Sequence, residues 1–197
     1  REPIWLEQQG IDPSLYFEDG RCYMVSNPDN MITLCQIDPK TGRQLTKGKG
    51  IWQGTGGRYP EGPHIYKHNG MYYLLCAEGG TGYYHSATIS RAADIRGPYE
   101  PYPGNPVITS VPEDHDESED IDHLKPHYYN PEAPLQKAGH GSIVETPDGI
   151  PYMAFHCSRP FVPQLCCTLG RETALQRLEW TKDGWLQMPG SGNLVQL

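Results

Sequence analysis

The sequence predicts an all-β chain of the β-propeller type. Three observations carry this. Apolar runs are short and bounded by turn residues. Gly (22), Pro (19) and Tyr (13) are unusually frequent among the 197 residues. One layout then recurs three times along the chain. In each copy a polar residue leads a short apolar strand, an Asn-Gly or Asp-Gly pair follows, and a second, aromatic-rich strand comes next.

The first copy runs Asp12-Pro-Ser-Leu-Tyr-Phe, then Asp19-Gly20, then Cys22-Tyr23-Met24-Val25. The second runs Glu61-Gly-Pro-His-Ile-Tyr, then Asn69-Gly70, then Tyr72-Tyr73-Leu74-Leu75. The third runs His140-Gly-Ser-Ile-Val, then Asp148-Gly149, then Tyr152-Met153-Ala154-Phe155. Asn-Gly and Asp-Gly supply the positive φ angles that tight hairpins require. The copies start at 12, 61 and 140, so the steps are 49 and 79 residues. The first step fits a four-stranded blade of about 40–50 residues, and the second is a blade with about 30 residues added. The addition is visible over residues 111–134, a polar segment containing Glu113-Asp114-His115-Asp116-Glu117-Ser118-Glu119-Asp120. It buries little apolar area and reads as a long surface loop. Its acids lack the spacing of a calcium loop. Because it leads into His140, it is a candidate outer wall for a binding pocket. Only Ser86–Arg96 and Gly170–Leu178 can be argued as helices; neither carries a capped 3.6-residue stripe, so both also read as strands. A blade needs neighbours on both flanks, and three cannot close a ring. The chain is therefore expected to be a portion of a larger propeller, or to be completed by another polypeptide. It opens on Arg1 with no charged-then-apolar leader, which leaves the compartment, cytoplasmic or secreted, unread.

A formal net charge of -8 argues against nucleic acid and anionic membranes as partners, since both select basic surfaces. No run approaches the ~20 apolar residues of a membrane span. Of six cysteines, Cys22, Cys76 and Cys157 sit inside apolar stretches and read as buried thiols. No C-x-x-C pair suggests zinc, and no N-x-S/T sequon occurs. Glu78-Gly-Gly-Thr-Gly lacks the strand–helix setting of a phosphate loop and reads as a blade turn.

Propeller geometry brings the residues that open the innermost strands to one mouth. Those residues are Asp12, Glu61 and His140. Two carboxylates flanking a glycosidic bond are the apparatus of glycoside hydrolysis, one donating a proton while another group activates water. The donor needs a raised pKa, which a second carboxylate supplies by like-charge repulsion. The plainer alternatives are that Asp12 is a strand-entry residue before a proline and that His140 is a satisfied core histidine.

Seven motifs in order cover nearly the whole chain: Gly10-Ile-Asp12-Pro-Ser-Leu-Tyr-Phe, Glu61-Gly-Pro-His-Ile-Tyr-Lys, Tyr72-Tyr-Leu-Leu-Cys-Ala-Glu78-Gly-Gly-Thr-Gly, Ile95-Arg-Gly-Pro-Tyr99-Glu, Gly139-His140-Gly-Ser-Ile-Val-Glu145-Thr, Leu169-Gly-Arg171-Glu-Thr and Asp183-Gly-Trp185. The sequence thereby resembles family 43 of the glycoside hydrolases, the β-xylosidase and α-L-arabinofuranosidase family. The resemblance implies a five-bladed β-propeller, of which residues 1–197 supply about three blades of a catalytic domain. It implies removal of terminal xylose or arabinose from plant polysaccharides or oligosaccharides with inversion. Glu61 matches the general acid, Asp12 the carboxylate that tunes it, Arg171 and His140 residues that meet the sugar. No cofactor is implied as required; a structural calcium held through water by His140 is the metal the resemblance allows. Arg159 lies in a family-like stretch without a role. One departure stands out: no aspartate here matches the family's general base, which lies in a first-blade motif. The chain alone is therefore expected to be inactive, with the missing N-terminal blades as its partner. A carbohydrate-binding propeller that does not cleave, or a non-catalytic interaction propeller, are the competing readings. The choice between xylose and arabinose is not legible.

Overall fold

The computed structural model describes residues 2–56, 59–111, 129–167, 170–190 and 192–196. All regular structure among them is strand. The first sheet comprises β1 (Ile11–Glu18), β2 (Arg21–Asn27), β3 (Ile32–Ile37) and β4 (Lys49–Trp52), in that order. The second comprises β5 (Glu61–His68), β6 (Met71–Glu78), β7 (Ser86–Ala92) and β8 (Glu100–Pro101), with β9 (Ile108–Thr109) also on β7. The third comprises β10 (Gln136–Glu145), β11 (Pro151–Ser158) and β12 (Glu172–Arg177). Here the structure departs from a four-strand repeat. The chain leaves the third sheet at Leu178, and β13 (Glu179–Trp180) pairs only with β14 (Leu186–Gln187). All the strand pairs are antiparallel, and apart from β7–β9 each joins strands that follow one another in the chain, which short loops favour. Both stretches arguable as helices carry strands, β7 and β12, each paired antiparallel along its length with a neighbouring strand, β6 and β11.

The turn chemistry acts as expected. Asp19 and Gly20 (φ 48° and 72°) and Asn69 and Gly70 (φ 47° and 81°) close two-residue hairpins with both residues left-handed, the type I′ form that matches strand twist. The third hairpin is wider, running from Thr146 to Ile150 with Gly149 at φ 79°.

The second sheet is buried on both faces, which explains its unbroken apolar run Tyr-Tyr-Leu-Leu-Cys-Ala. Leu74 and Cys76 pack toward the first sheet with Val25, Ile32 and Leu34. Tyr73 and Leu75 pack toward the third with Met153 and Phe155. The first sheet buries only one face of its leading strand: Ile11, Leu15 and Phe17 alternate outward, Phe17 at 62% exposure. On the third sheet Val144 and Leu175 point outward likewise. Four cysteines (22, 35, 76 and 157) are buried free thiols, as the apolar context of three of them predicts; Cys166 is exposed and Cys167 half-buried. Most of the acidic segment, residues 112–128, lies outside the described residues.

Candidate active site

Each innermost strand is bulged close to where it begins. Register shifts fall between Ile11 and Ser14 on β1, between Glu61 and His64 on β5, and twice between Gln136 and Gly141 on β10. The bulges carry left-handed residues: Asp12 (φ 52°), Gly62 (57°), Lys137 (56°) and His140 (44°). A bulge inserts one residue and re-aims the side chains around it. That is how the three sheets turn polar groups toward one point instead of burying them between layers. Counted by register along the two hairpins, Ile11 is equivalent to Glu61 and Asp12 to Gly62, so the two carboxylates do not occupy equivalent positions of the repeat.

Asp12, Glu61 and His140 come together, although His140 does not open its strand as expected: β10 begins four residues earlier, at Gln136. Asp12 Oδ2 accepts a hydrogen bond from the Gly62 amide (3.1 Å). A Cβ on Gly62 would lie 2.8 Å from His140 Nε2, so the β5 bulge is pressed against that imidazole. Burial, and next the charge of Asp12, hold the Glu61 carboxyl above the usual carboxylate range; the charges of His140 and Arg171 pull the other way. Arg171 is exposed, just before β12, and its charge also bears on His85 and His156. Arg159 stands apart: it forms an exposed pair with Glu172, its Nε 3.0 Å from the carboxylate.

Three further histidines ring this point, none singled out by the sequence. His64 contacts Ser14 Oγ through Nδ1 (2.9 Å), and burial depresses its pKa. His156 lies 5.7 Å from His140, ring to ring, with its buried Nδ1 unpartnered. His85 is fully buried, pushed down to about 4 by burial, and its Nδ1 stands 3.1 Å from the Lys137 carbonyl. Among the described residues its Nε2 has no hydrogen-bond partner. The available signal was positional, since each lies at the mouth end of a strand beside a lead residue: His64 near Glu61, His156 opposite Gly139, His85 just before β7.

The glycine-rich stretch is a turn as read, with Gly79 and Gly80 left-handed. Its leading residue does more than expected. The buried Glu78 carboxylate accepts from the Thr55 amide (2.9 Å), Thr55 Oγ1 (2.9 Å) and Thr88 Oγ1 (2.8 Å), fixing the loop after β4 beside the site. Asn27 Nδ2 donates to the Pro60 carbonyl (2.6 Å) and fixes the approach to Glu61.

Calcium in direct contact does not fit here. Among the described residues, the group of three that could hold a metal is Glu61, His85 and His140, with ligand atoms within 4.8 Å of one another. Two imidazole nitrogens and one carboxylate are a poor shell for an ion that takes six to eight oxygens.

The chain is similar to several characterised proteins over nearly its whole length. It is 43% identical to xylosidase/arabinosidase 43B of Humicola insolens, covering 94% of this chain and 33% of that protein. It is 37% identical to the non-reducing end α-L-arabinofuranosidase BoGH43B of Bacteroides ovatus, covering 99% of this chain and 34% of that one. The solved xylan β-1,4-xylosidase from Bacillus halodurans C-125 superposes with a TM-score of 0.83 at 42% identity, over 98% of this chain and 35% of that one. The chain thus spans about a third of the length of the relatives it matches. Residues 1–186 match the glycosyl hydrolases family 43 pattern. With bulged sheets that gather two carboxylates, an arginine and a histidine at one point, this all-β propeller chain belongs to glycosyl hydrolase family 43.

Proposed function

We propose that this chain is the acid-bearing part of a glycoside hydrolase that removes terminal xylose or arabinose units from plant polysaccharides or oligosaccharides. Glu61 donates the proton to the leaving oxygen. Asp12 keeps that proton in place, Arg171 and His140 meet the sugar, and the reaction inverts the anomeric centre. The observation that carries the reading is Glu61 itself. It is a half-buried carboxyl raised by desolvation and by Asp12, at the point where three sheets converge. Such a group retains its proton nearer neutrality, as a general acid must.

The water-activating carboxylate is proposed to come from chain outside these 197 residues. Asp12 is the one carboxylate that bears on Glu61 among the described residues, and its oxygen is committed to the Gly62 amide. The five-bladed ring rests on the two outward apolar faces, Ile11, Leu15 and Phe17 on one side and Val144 and Leu175 on the other. Faces of this kind are covered by a neighbouring blade in a closed propeller.

The test uses full-length protein with 4-nitrophenyl β-D-xyloside, 4-nitrophenyl α-L-arabinofuranoside and the matching oligosaccharides. Release of pentose, with the inverted anomer appearing first by NMR, is expected. Glycan binding without release from any substrate would refute catalysis and support the carbohydrate-binding alternative.

A further inference from the structure

The donor set of this cluster suits a directly bound ion other than calcium. We propose that Glu61, His85 and His140 form a direct-contact site for a divalent cation of the zinc type, and that its occupancy silences the acid.

His85 carries the argument. It is 0% exposed, and a buried imidazole nitrogen without a partner has lost hydration and gained nothing in return. Its Nδ1 faces the Lys137 carbonyl, an acceptor only, so the ring proton resides there. Nε2 is therefore a lone pair. A histidine that donates one ring N–H to a backbone carbonyl and presents the other nitrogen bare is the arrangement of a metal ligand, with its orientation already set. His140 is held as firmly. Gly62 and Gly139 permit approaches that any side chain would block, the first onto the His140 ring and the second onto the His85 ring at 2.7 Å.

The donor set selects the ion. Two imidazoles and one carboxylate suit zinc, cobalt or nickel and leave a position open. Glu61 is the adjustable member, since its carboxylate sits on a longer, half-buried side chain while His85 is fully buried. Asp12 adds a second negative charge nearby, while the Arg171 guanidinium opposes the cation. Coordination commits the carboxylate lone pairs of Glu61, so the residue cannot carry a proton while the ion is bound. That last step rests on the acid role proposed above; the site itself does not.

The experiment is a Co²⁺ titration of chelator-stripped full-length protein, followed by visible absorption. One Co²⁺ per chain is expected, with the ligand-field bands of a low-coordinate nitrogen–oxygen shell. Zn²⁺ displaces it and Ca²⁺ at the same concentration does not. The His85→Phe and His85→Gln variants should each weaken Co²⁺ binding at least tenfold. Absence of bands in the unmodified protein, which needs no variant to fold, would overturn the site, as would displacement by Ca²⁺ or unchanged affinity in both variants. Zn²⁺ is expected to stop pentose release and EDTA to restore it. Bands with undiminished turnover would uphold the site and sink the acid assignment of Glu61.

Discussion

Replacing Gly62 by alanine tests the convergence of the bulged strands most directly. Two costs are expected. Gly62 is left-handed at φ 57°, a conformation that costs an alanine about 1–2 kcal/mol. The new methyl carbon would also lie 2.8, 2.9 and 3.0 Å from Nε2, Cδ2 and Cε1 of His140. Ordinary carbon contacts are at roughly 3.5–4.0 Å, so the imidazole must retreat by about 0.5–1 Å. Its backbone cannot follow. A Cβ on neighbouring Gly139 would already meet Ser86 N at 2.7 Å, and one on Gly141 would meet Met153 at 2.6 Å. The ring therefore rotates away while its strand stays put. The control is Gly70→Ala. Gly70 is left-handed at φ 81° with nothing within 4 Å of its would-be Cβ, so it reports the backbone cost alone. In full-length protein, Gly70→Ala should lose about 1–2 kcal/mol of stability with kcat/KM intact. Gly62→Ala should lose about 1–2 kcal/mol more and about 100-fold in kcat/KM, the effect of misplacing a catalytic constellation by about 1 Å. Thermal unfolding and steady-state kinetics on an aryl xyloside read both. Equal stability and equal activity in the two variants would refute the claim that β5 is pressed against His140.

Other outcomes follow from the same geometry. Glu61→Gln should abolish cleavage of oligosaccharides while largely sparing substrates with activated aryl leaving groups, which need little proton donation; equal losses on both would contradict an acid role. Asp12→Asn removes a charge that helps raise the Glu61 pKa, so the alkaline limb of kcat/KM should move to lower pH, measured across the full profile. Glu78→Leu strips the acceptor from Thr55 and Thr88, and should lower stability by roughly 3 kcal/mol or more, read by denaturant unfolding. Hydrogen bonding from Lys67, then from Tyr72, holds the Glu18 pKa below its ordinary 4.5. Its contribution is therefore complete above pH 4.5 and disappears as pH falls through the lower folded value, and Glu18→Gln should flatten that acid limb of Tm against pH.

The strand repeat was legible because turn chemistry is local. Asp19-Gly20 and Asn69-Gly70 favour tight hairpins by their own backbone preferences, and the short apolar runs beside them then read as the paired strands. The positions of the lead residues were legible in part: Asp12 and Glu61 stand at the start of β1 and β5, whereas His140 lies five residues into β10 and reaches the same point through the bulges before it. What the sequence leaves open depends on contacts between segments. The Asp12 and Glu61 repeats align by eye, yet a one-residue bulge in each strand decides that Asp12 faces Gly62, and bulge position depends on cross-strand register. His85 carries only a positional mark, just before β7; its contact with the Lys137 carbonyl, 52 positions away, arises only in the folded chain. The depth of burial that raises Glu61, and the grip of Glu78 on Thr55, likewise arise only once the sheets stack. Chain order thus settled which residues could meet, while packing across the sheets settled which atoms face one another and in what protonation state.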